Sequence, residues 1–142
     1  MARKAQPKKS YAIFISHSSK DNFIAKQIEK LIGERCGKLG VKTFLDERDL
    51  KGGDNIAGVI KKNIIDCDEL VVCISRYSIE SSWVTTEIGA AWVLGKRIVA
   101  IIDKVTPEEM PNIIVDYKAV DLNDDFDMYL EELADRVKGT AK

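Results

Sequence analysis

The chain carries one histidine, three cysteines and three prolines among 142 residues, and its formal net charge is only −1. Each scarcity excludes something. A serine–histidine–acid triad would have to use His17, which no nucleophile elbow surrounds. Cys36, Cys67 and Cys73 are odd in number, and their spacing suits no zinc motif. Cys67 and Cys73 fall in or near apolar segments, so they are expected to be buried thiols in a reducing, cytoplasmic setting. A near-zero net charge gives no domain-wide field for nucleic acid or an anionic membrane. No apolar run approaches the roughly 20 residues of a spanning helix. The basic residues Arg3, Lys4, Lys8 and Lys9 are not followed by an apolar stretch and a small-residue cleavage site, so no secretory signal is expected. Residues 1–9 read as a flexible, solvated leader.

Nucleotide motifs are missing as well. The stretch from Gly33 to Lys38 has the wrong spacing for a P-loop, follows a helical pattern and is followed by Leu39. No Gly-x-Gly-x-x-Gly follows the first strand, so a standard dinucleotide fold is not expected. A phospho-receiver domain needs an aspartate at the end of its third strand, where this chain has Ser75, and an acidic pair on the first strand, which is absent. No cluster has metal-ligand spacing, so neither metal nor cofactor is expected.

What is present is a regular alternation of strand and helix patterns. Residues 11–16 form a short apolar run that predicts a buried strand. Residues 22–36 place Phe23, Ile24, Ile28, Leu31 and Ile32 at helical spacing, with Asp21 as N-cap and Gly37 and Gly40 as the stop. Residues 41–45 form a second strand. Residues 46–54 form a polar loop containing Gly52 and Gly53. A helix is predicted over 55–66 and the strongest strand over 69–75. A further helix becomes regular near Ser82. Residues 97–103 form a fourth strand, 117–122 a fifth strand at the edge, and 125–137 a closing helix. The central strands are continuously apolar, as strands covered on both faces are. The prediction is an α/β fold: one open, five-stranded, mainly parallel sheet with helices on both faces. Residues 10–138 make the single domain and 139–142 a tail. Sites in such sheets form outside the carboxyl ends of the strands, near a switch in strand order. The segments leaving those ends are 16–19, 46–54 and 75–82.

The third segment leads into Ser82-Trp83-Val84-Thr85-Thr86-Glu87. Trp83 and Glu87 are neighbours on one side of a helix. Ile88, Ala91 and Trp92 continue an apolar stripe beside Glu87. A carboxylate at that border is expected to be partly desolvated yet reachable, as catalytic carboxylates tend to be. An ordinary amphipathic helix edge would look the same. His17 is either a loop histidine bonded to backbone or solvent, or a pocket wall that donates to a ligand. In the 46–54 loop, either Arg48 or Lys51 meets a phosphate while Asp46 takes ribose hydroxyls, or the whole loop is a solvated turn whose Asp54 caps the next helix.

In order and spacing, these pieces resemble the TIR (Toll/interleukin-1 receptor homology) domain family, and within it the bacterial NAD-cleaving members. The resemblance is carried by Tyr11-Ala12-Ile13-Phe14-Ile15-Ser16-His17-Ser18-Ser19-Lys20-Asp21, Phe44-Leu45-Asp46 with its glycine loop, Ile74-Ser75, and the 82–87 motif. It covers roughly residues 10–137 and implies a flavodoxin-like TIR fold. It also implies cleavage of NAD+, as substrate, at the nicotinamide–ribose bond, giving ADP-ribose or a cyclic isomer. Glu87 falls on the family's catalytic glutamate and Trp83 on its paired tryptophan. Ser16, His17, Asp46, Arg48 and Ser75 fall on the substrate-binding side, and 46–54 on the mobile BB loop. Val84 stands where many relatives have cysteine, and the BB-loop proline of adaptor-type members is absent. Self-association through TIR–TIR contacts is implied, with activity dependent on it. Neither nucleic acid nor membrane is an expected partner. The alternative is a noncatalytic TIR–TIR scaffold in signalling. The family's link to antiviral defence is analogy alone.

Overall fold

The computed structural model describes residues 10–45 and 56–140. The expected basic leader and the loop with Asp46, Arg48, Lys51 and Asp54 lie outside the described residues. The elements are β1 (Tyr11–Ser16), α1 (Asn22–Cys36), β2 (Val41–Leu45), α2 (Ile56–Asp66), β3 (Glu69–Ile74), α3 (Ser82–Val93), β4 (Arg97–Ile102), β5 (Val120–Asp121) and α4 (Phe126–Thr140). Short 3-10 turns lie between some of them. The edge strand expected over 117–122 is reduced to two residues, and α4 runs past the predicted end at Val137.

All strand pairings are parallel, in the order β2-β1-β3-β4-β5. The chain leaves β1 to one side for β2 and returns across it to β3. The order therefore reverses between β1 and β3, and in sheets of this kind the crevice for a ligand forms at the carboxyl ends of such a reversal.

Alternation along each strand divides the core into two layers. Phe14, Leu70, Val72, Ile74, Ala100 and Ile102 face α2 and α3, packing with Ile64, Val84, Ile88 and Ala91. Ile13, Ile15, Val71, Cys73 and Ile101 face α1 and α4, packing with Ala25, Ile28, Ile32, Tyr129, Leu130 and Leu133. Successive strand residues point to opposite faces, so a run that is apolar throughout buries both.

The apolar stripe of α1 is narrower than predicted. Ala25, Ile28, Ile32 and Cys36 are buried, whereas Phe23 is 74% exposed and Leu31 39%. The two outliers lie off the i, i+3, i+4 face that meets the sheet. Trp92 likewise does not continue the stripe beside Glu87. It is 53% exposed, while Ile88 and Ala91 are fully buried. Gly40, with φ of 90°, turns the chain into β2 in a left-handed conformation that suits glycine.

The amino end of the sheet holds a buried charge. Glu69 opens β3 with no exposed surface. Its Oε1 accepts from the Tyr11 hydroxyl and from Arg136 Nη2, both at 2.8 Å, and its Oε2 accepts from the Tyr129 hydroxyl at 2.5 Å. Tyr129 and Arg136 share one face of α4, so this cluster pins that helix to β1 and β3. A buried carboxylate is tolerated only when paired and hydrogen-bonded, and here it is both. Burial first, and then the Glu69 carboxylate, push the Tyr11 phenol up to about 12. The same two causes push Tyr129 well above its ordinary value.

Arg136→Ala strands the Glu69 charge and is expected to cost about 3 kcal/mol, as breaking one side of a buried ion pair does. Urea denaturation checks this: the midpoint falls with an unchanged slope, and a loss typical of a surface pair contradicts it. The raised phenols also fix an alkaline limb. A group whose pKa is raised on folding contributes stability that is fully present below its unfolded value, here 10.0, and lost as pH climbs toward about 12. Unfolding followed across that window shows a falling midpoint, and Tyr11→Phe flattens it. An equally steep limb in that variant contradicts the assignment.

Candidate active site

The crevice is bounded by the chain leaving β1 and the chain leaving β3. β1 ends on Ser16 and β3 is followed by Ser75, so two serines stand at the ends of adjacent parallel strands. After Ser75 the chain makes a 3-10 turn, Ser78–Glu80, and enters α3 at Ser82. Ser81 caps that helix, its side chain accepting from Val84 N–H at 3.2 Å. The cap sets where α3 begins and therefore which residues face the crevice.

Glu87 lies one turn beyond Trp83. Ser16 Oγ donates to Glu87 Oε1 at 2.6 Å, the length of a hydroxyl bound to a carboxylate. Glu87 has no exposed surface. The expectation of a partly solvated carboxylate is thereby corrected. Its neighbours Val84, Ile88 and Ala91 are fully buried, so the helix face that carries it is core. Trp83 is partly buried and packs against the layer between the sheet and α2–α3.

His17 is 4% exposed, and its Nε2 is 2.8 Å from Asn22 Oδ1. It is thus bound to a side chain within the turn. Asp21 occupies the N-cap position of α1, but its side chain makes no capping bond. The capping bond of this turn comes from Ser18, which accepts from Lys20 N–H at 3.2 Å. Asp21 instead turns inward, and its Oδ2 accepts from Ser75 Oγ at 2.5 Å.

The structure therefore brings Ser16, His17, Ser75, Trp83 and Glu87 to one end of the sheet, and it joins Ser16 directly to Glu87. Asp46 and Arg48 lie outside the described residues. Three contributors were not foreseen as part of the site: Asp21, Asn22 and Ser78. Asp21 meets Ser75 across 54 residues, Asn22 and Ser78 bond His17 and Ser75 within their own turns, and the polar residues of a strand–helix turn carry no periodicity that would reveal them.

The cysteines do not offer nucleophiles. All three are buried. Burial raises Cys36, and it pushes Cys67 up to about 11. Cys73 rises to about 12, through burial and then the Asp21 and Asp103 carboxylates. Thiols held that high are inert at neutral pH. Among the described residues no group of three or more His, Cys, Asp or Glu could hold a metal ion, and no helix is long and apolar enough to cross a membrane.

A cavity of about 490 Å³ opens elsewhere, lined by Lys96, Arg97, Tyr117, Lys118, Tyr129 and Arg136 among others. Arg97 begins β4, so this cavity sits at the amino end of the strands. It contains none of the residues gathered around Glu87. The strand-order reversal is the better guide to the site.

Comparison with known proteins agrees with this geometry. The profile of the TIR domain family matches residues 13–134. A Cytobacillus dafuensis protein, named as a proposed cyclic ADP-D-ribose synthase, is 33% identical over 104 residues, covering 68% of this chain and 26% of that protein. The chain thus spans about a quarter of that relative's length. Among solved structures, the TIR domain of a Toll-related receptor from Hydra magnipapillata superposes with a TM-score of 0.70 at 18% identity, covering 91% of this chain and 99% of that one. A 2-desoxiribosyltransferase from Leishmania mexicana superposes at 0.65 with 15% identity, covering 85% and 97%. At such identities the two structures show the shared fold alone. The match over residues 13–134, with the five-stranded parallel sheet, places the chain in the TIR domain family.

Proposed function

We propose that this TIR domain is an NAD+ nucleosidase, releasing nicotinamide and leaving ADP-ribose or a cyclic ADP-ribose isomer. The observation that carries the reading is the Glu87 carboxylate, held by Ser16 at the carboxyl-end crevice where the strand order reverses. The name of the Cytobacillus dafuensis relative supports it.

In this reaction the bond from ribose C1′ to the nicotinamide nitrogen breaks, and its electron pair neutralises the pyridinium. The leaving group is already cationic, so no general acid is needed, and a site with one histidine suffices. C1′ becomes oxocarbenium-like. A fixed anion beside that developing charge lowers the barrier, and a preorganised charge is worth more in a water-poor site. Glu87 supplies the anion. The Ser16 hydrogen bond fixes its orientation before substrate arrives. Water then adds to C1′ and loses a proton, giving ADP-ribose. Attack by an adenine nitrogen or a hydroxyl of the same molecule gives a cyclic product instead. Trp83 shields one side of the site, His17 forms part of its wall, and Asp46 and Arg48 take ribose and phosphate.

The complete burial of Glu87 in a single copy adds a condition. Substrate reaches the carboxylate only when its surroundings open, and we assign that opening to self-association. A second reading treats the chain as a noncatalytic interaction module. What favours it is that same burial, which a scaffold residue also shows, together with the exposed Trp92, Val93 and Leu94 at the end of α3.

Glu87→Gln keeps the side-chain shape and an acceptor for Ser16 but removes the charge. Nicotinamide release is expected to fall by about 10²–10³ with an unchanged melting temperature, as followed by chromatography of the products. Unaltered turnover removes Glu87 from the chemistry. Self-association is tested by NAD+ consumption over a wide range of protein concentration. Specific activity rises with concentration in the proposed enzyme. Silence at every concentration, with association seen by light scattering, selects the interaction module.

A further inference from the structure

Two serine–carboxylate bonds at the crevice are laced in opposite directions. Ser16, at the end of β1, reaches Glu87 on the helix that follows β3. Ser75, just after β3, reaches Asp21 at the start of the helix that follows β1. The second bond spans 54 residues and is buried, with Asp21 at 3% exposure and Ser75 at 6%.

The hydroxyl of Ser75 is fully used. It has one proton to donate and two lone pairs to accept with. The proton goes to Asp21 Oδ2 at 2.5 Å, and the lone pairs take Tyr77 N–H and Ser78 N–H, each at 3.2 Å. Ser78 closes the turn from the other side, its Oγ accepting from Ser75 N–H at 2.7 Å. Outside the pair, the Lys20 ammonium lies 5.1 Å from the centre of the Tyr77 ring, joining the same two segments at the surface. No hydrogen-bonding capacity on Ser75 remains for a substrate.

We infer that Asp21 and Ser75 are positioning residues and that Ser75 is not an NAD+ contact. The pair braces the 75–81 turn, which launches α3 and so places Glu87, against the 16–22 turn, which carries Ser16 and His17. The carboxylate holds the serine, the serine holds two backbone N–H groups, and those fix the entry of α3. The catalytic arm of this inference rests on the NAD+-cleavage reading. The structural arm does not.

The test compares Asp21→Ala, Ser75→Ala, the double variant and Asp21→Asn by steady-state nicotinamide release and by deuterium exchange. Each alanine variant lowers kcat about tenfold to a hundredfold, the scale of a small misplacement of a reacting group, with KM little changed. The double variant is no worse than the poorer single, because both remove one bond. Asp21→Asn, whose amide oxygen still accepts from Ser75, recovers most of the rate. In Asp21→Ala, exchange quickens over 75–81 while 97–102 is unaffected. Three results overturn the inference: a raised KM with unchanged kcat in Ser75→Ala, which returns that serine to the substrate; additive losses in the double variant; or unaltered exchange over 75–81. Should the wild-type protein release no nicotinamide, the enzymatic reading fails by itself, and the exchange arm still decides the brace. If Asp21→Ala does not fold, Ser75→Ala and Asp21→Asn carry both arms.

Discussion

The 2.6 Å bond from Ser16 to Glu87 is the contact on which the site depends. It joins the end of one central strand to the helix that follows its neighbour, across the place where the strand order reverses. A buried carboxylate without such a partner would carry a desolvation penalty of several kcal/mol. That bond offsets part of the cost of keeping Glu87 on the buried face of α3 with Val84 and Ile88, at the carboxyl end of the sheet. The placement follows from topology. Had β3 paired on the other side of β2, neither serine would face the opposite helix.

The two ends of the sheet solve the same problem differently. At the amino end, Glu69 is surrounded by two phenols and a guanidinium, and the cluster ties α4 down. Its donors are long side chains converging on one acid, an arrangement that is rigid and structural. At the carboxyl end the donors are serine hydroxyls at strand ends, and the carboxylates sit at helix starts or on the first turns of α3. The cavity of about 490 Å³ beside Arg136 belongs to the amino end.

Much of this was legible in the sequence. Apart from Ser16, Glu69 and Arg97 at their ends, the β1, β3 and β4 runs are apolar on both faces because both are covered, and that pattern pointed to the parallel sheet. The Ser82–Glu87 spacing, with the order of the flanking pieces, gave the family and the position of Glu87. What escaped were features set by long-range contact. Phe23 and Trp92 match helical spacing yet lie off the buried faces, since periodicity does not say which sector of a helix meets the sheet. Asp21 looks like an N-cap because it immediately precedes a helix. Its true partner, Ser75, is brought near only by the pairing of β1 with β3. Glu69 heads an apolar strand, and nothing local announces that Tyr11, Tyr129 and Arg136 converge on it.

The central claim is that Glu87 faces the anomeric carbon of the nicotinamide ribose when the domain is assembled. A crystal structure of the self-associated protein with NAD+ or a slowly cleaved analogue tests this directly. The account predicts ribose C1′ about 3.5 Å from a Glu87 carboxylate oxygen, the separation of a near-attack geometry. A nicotinamide ribose bound elsewhere, with Glu87 still enclosed between Ser16 and the core, would contradict it.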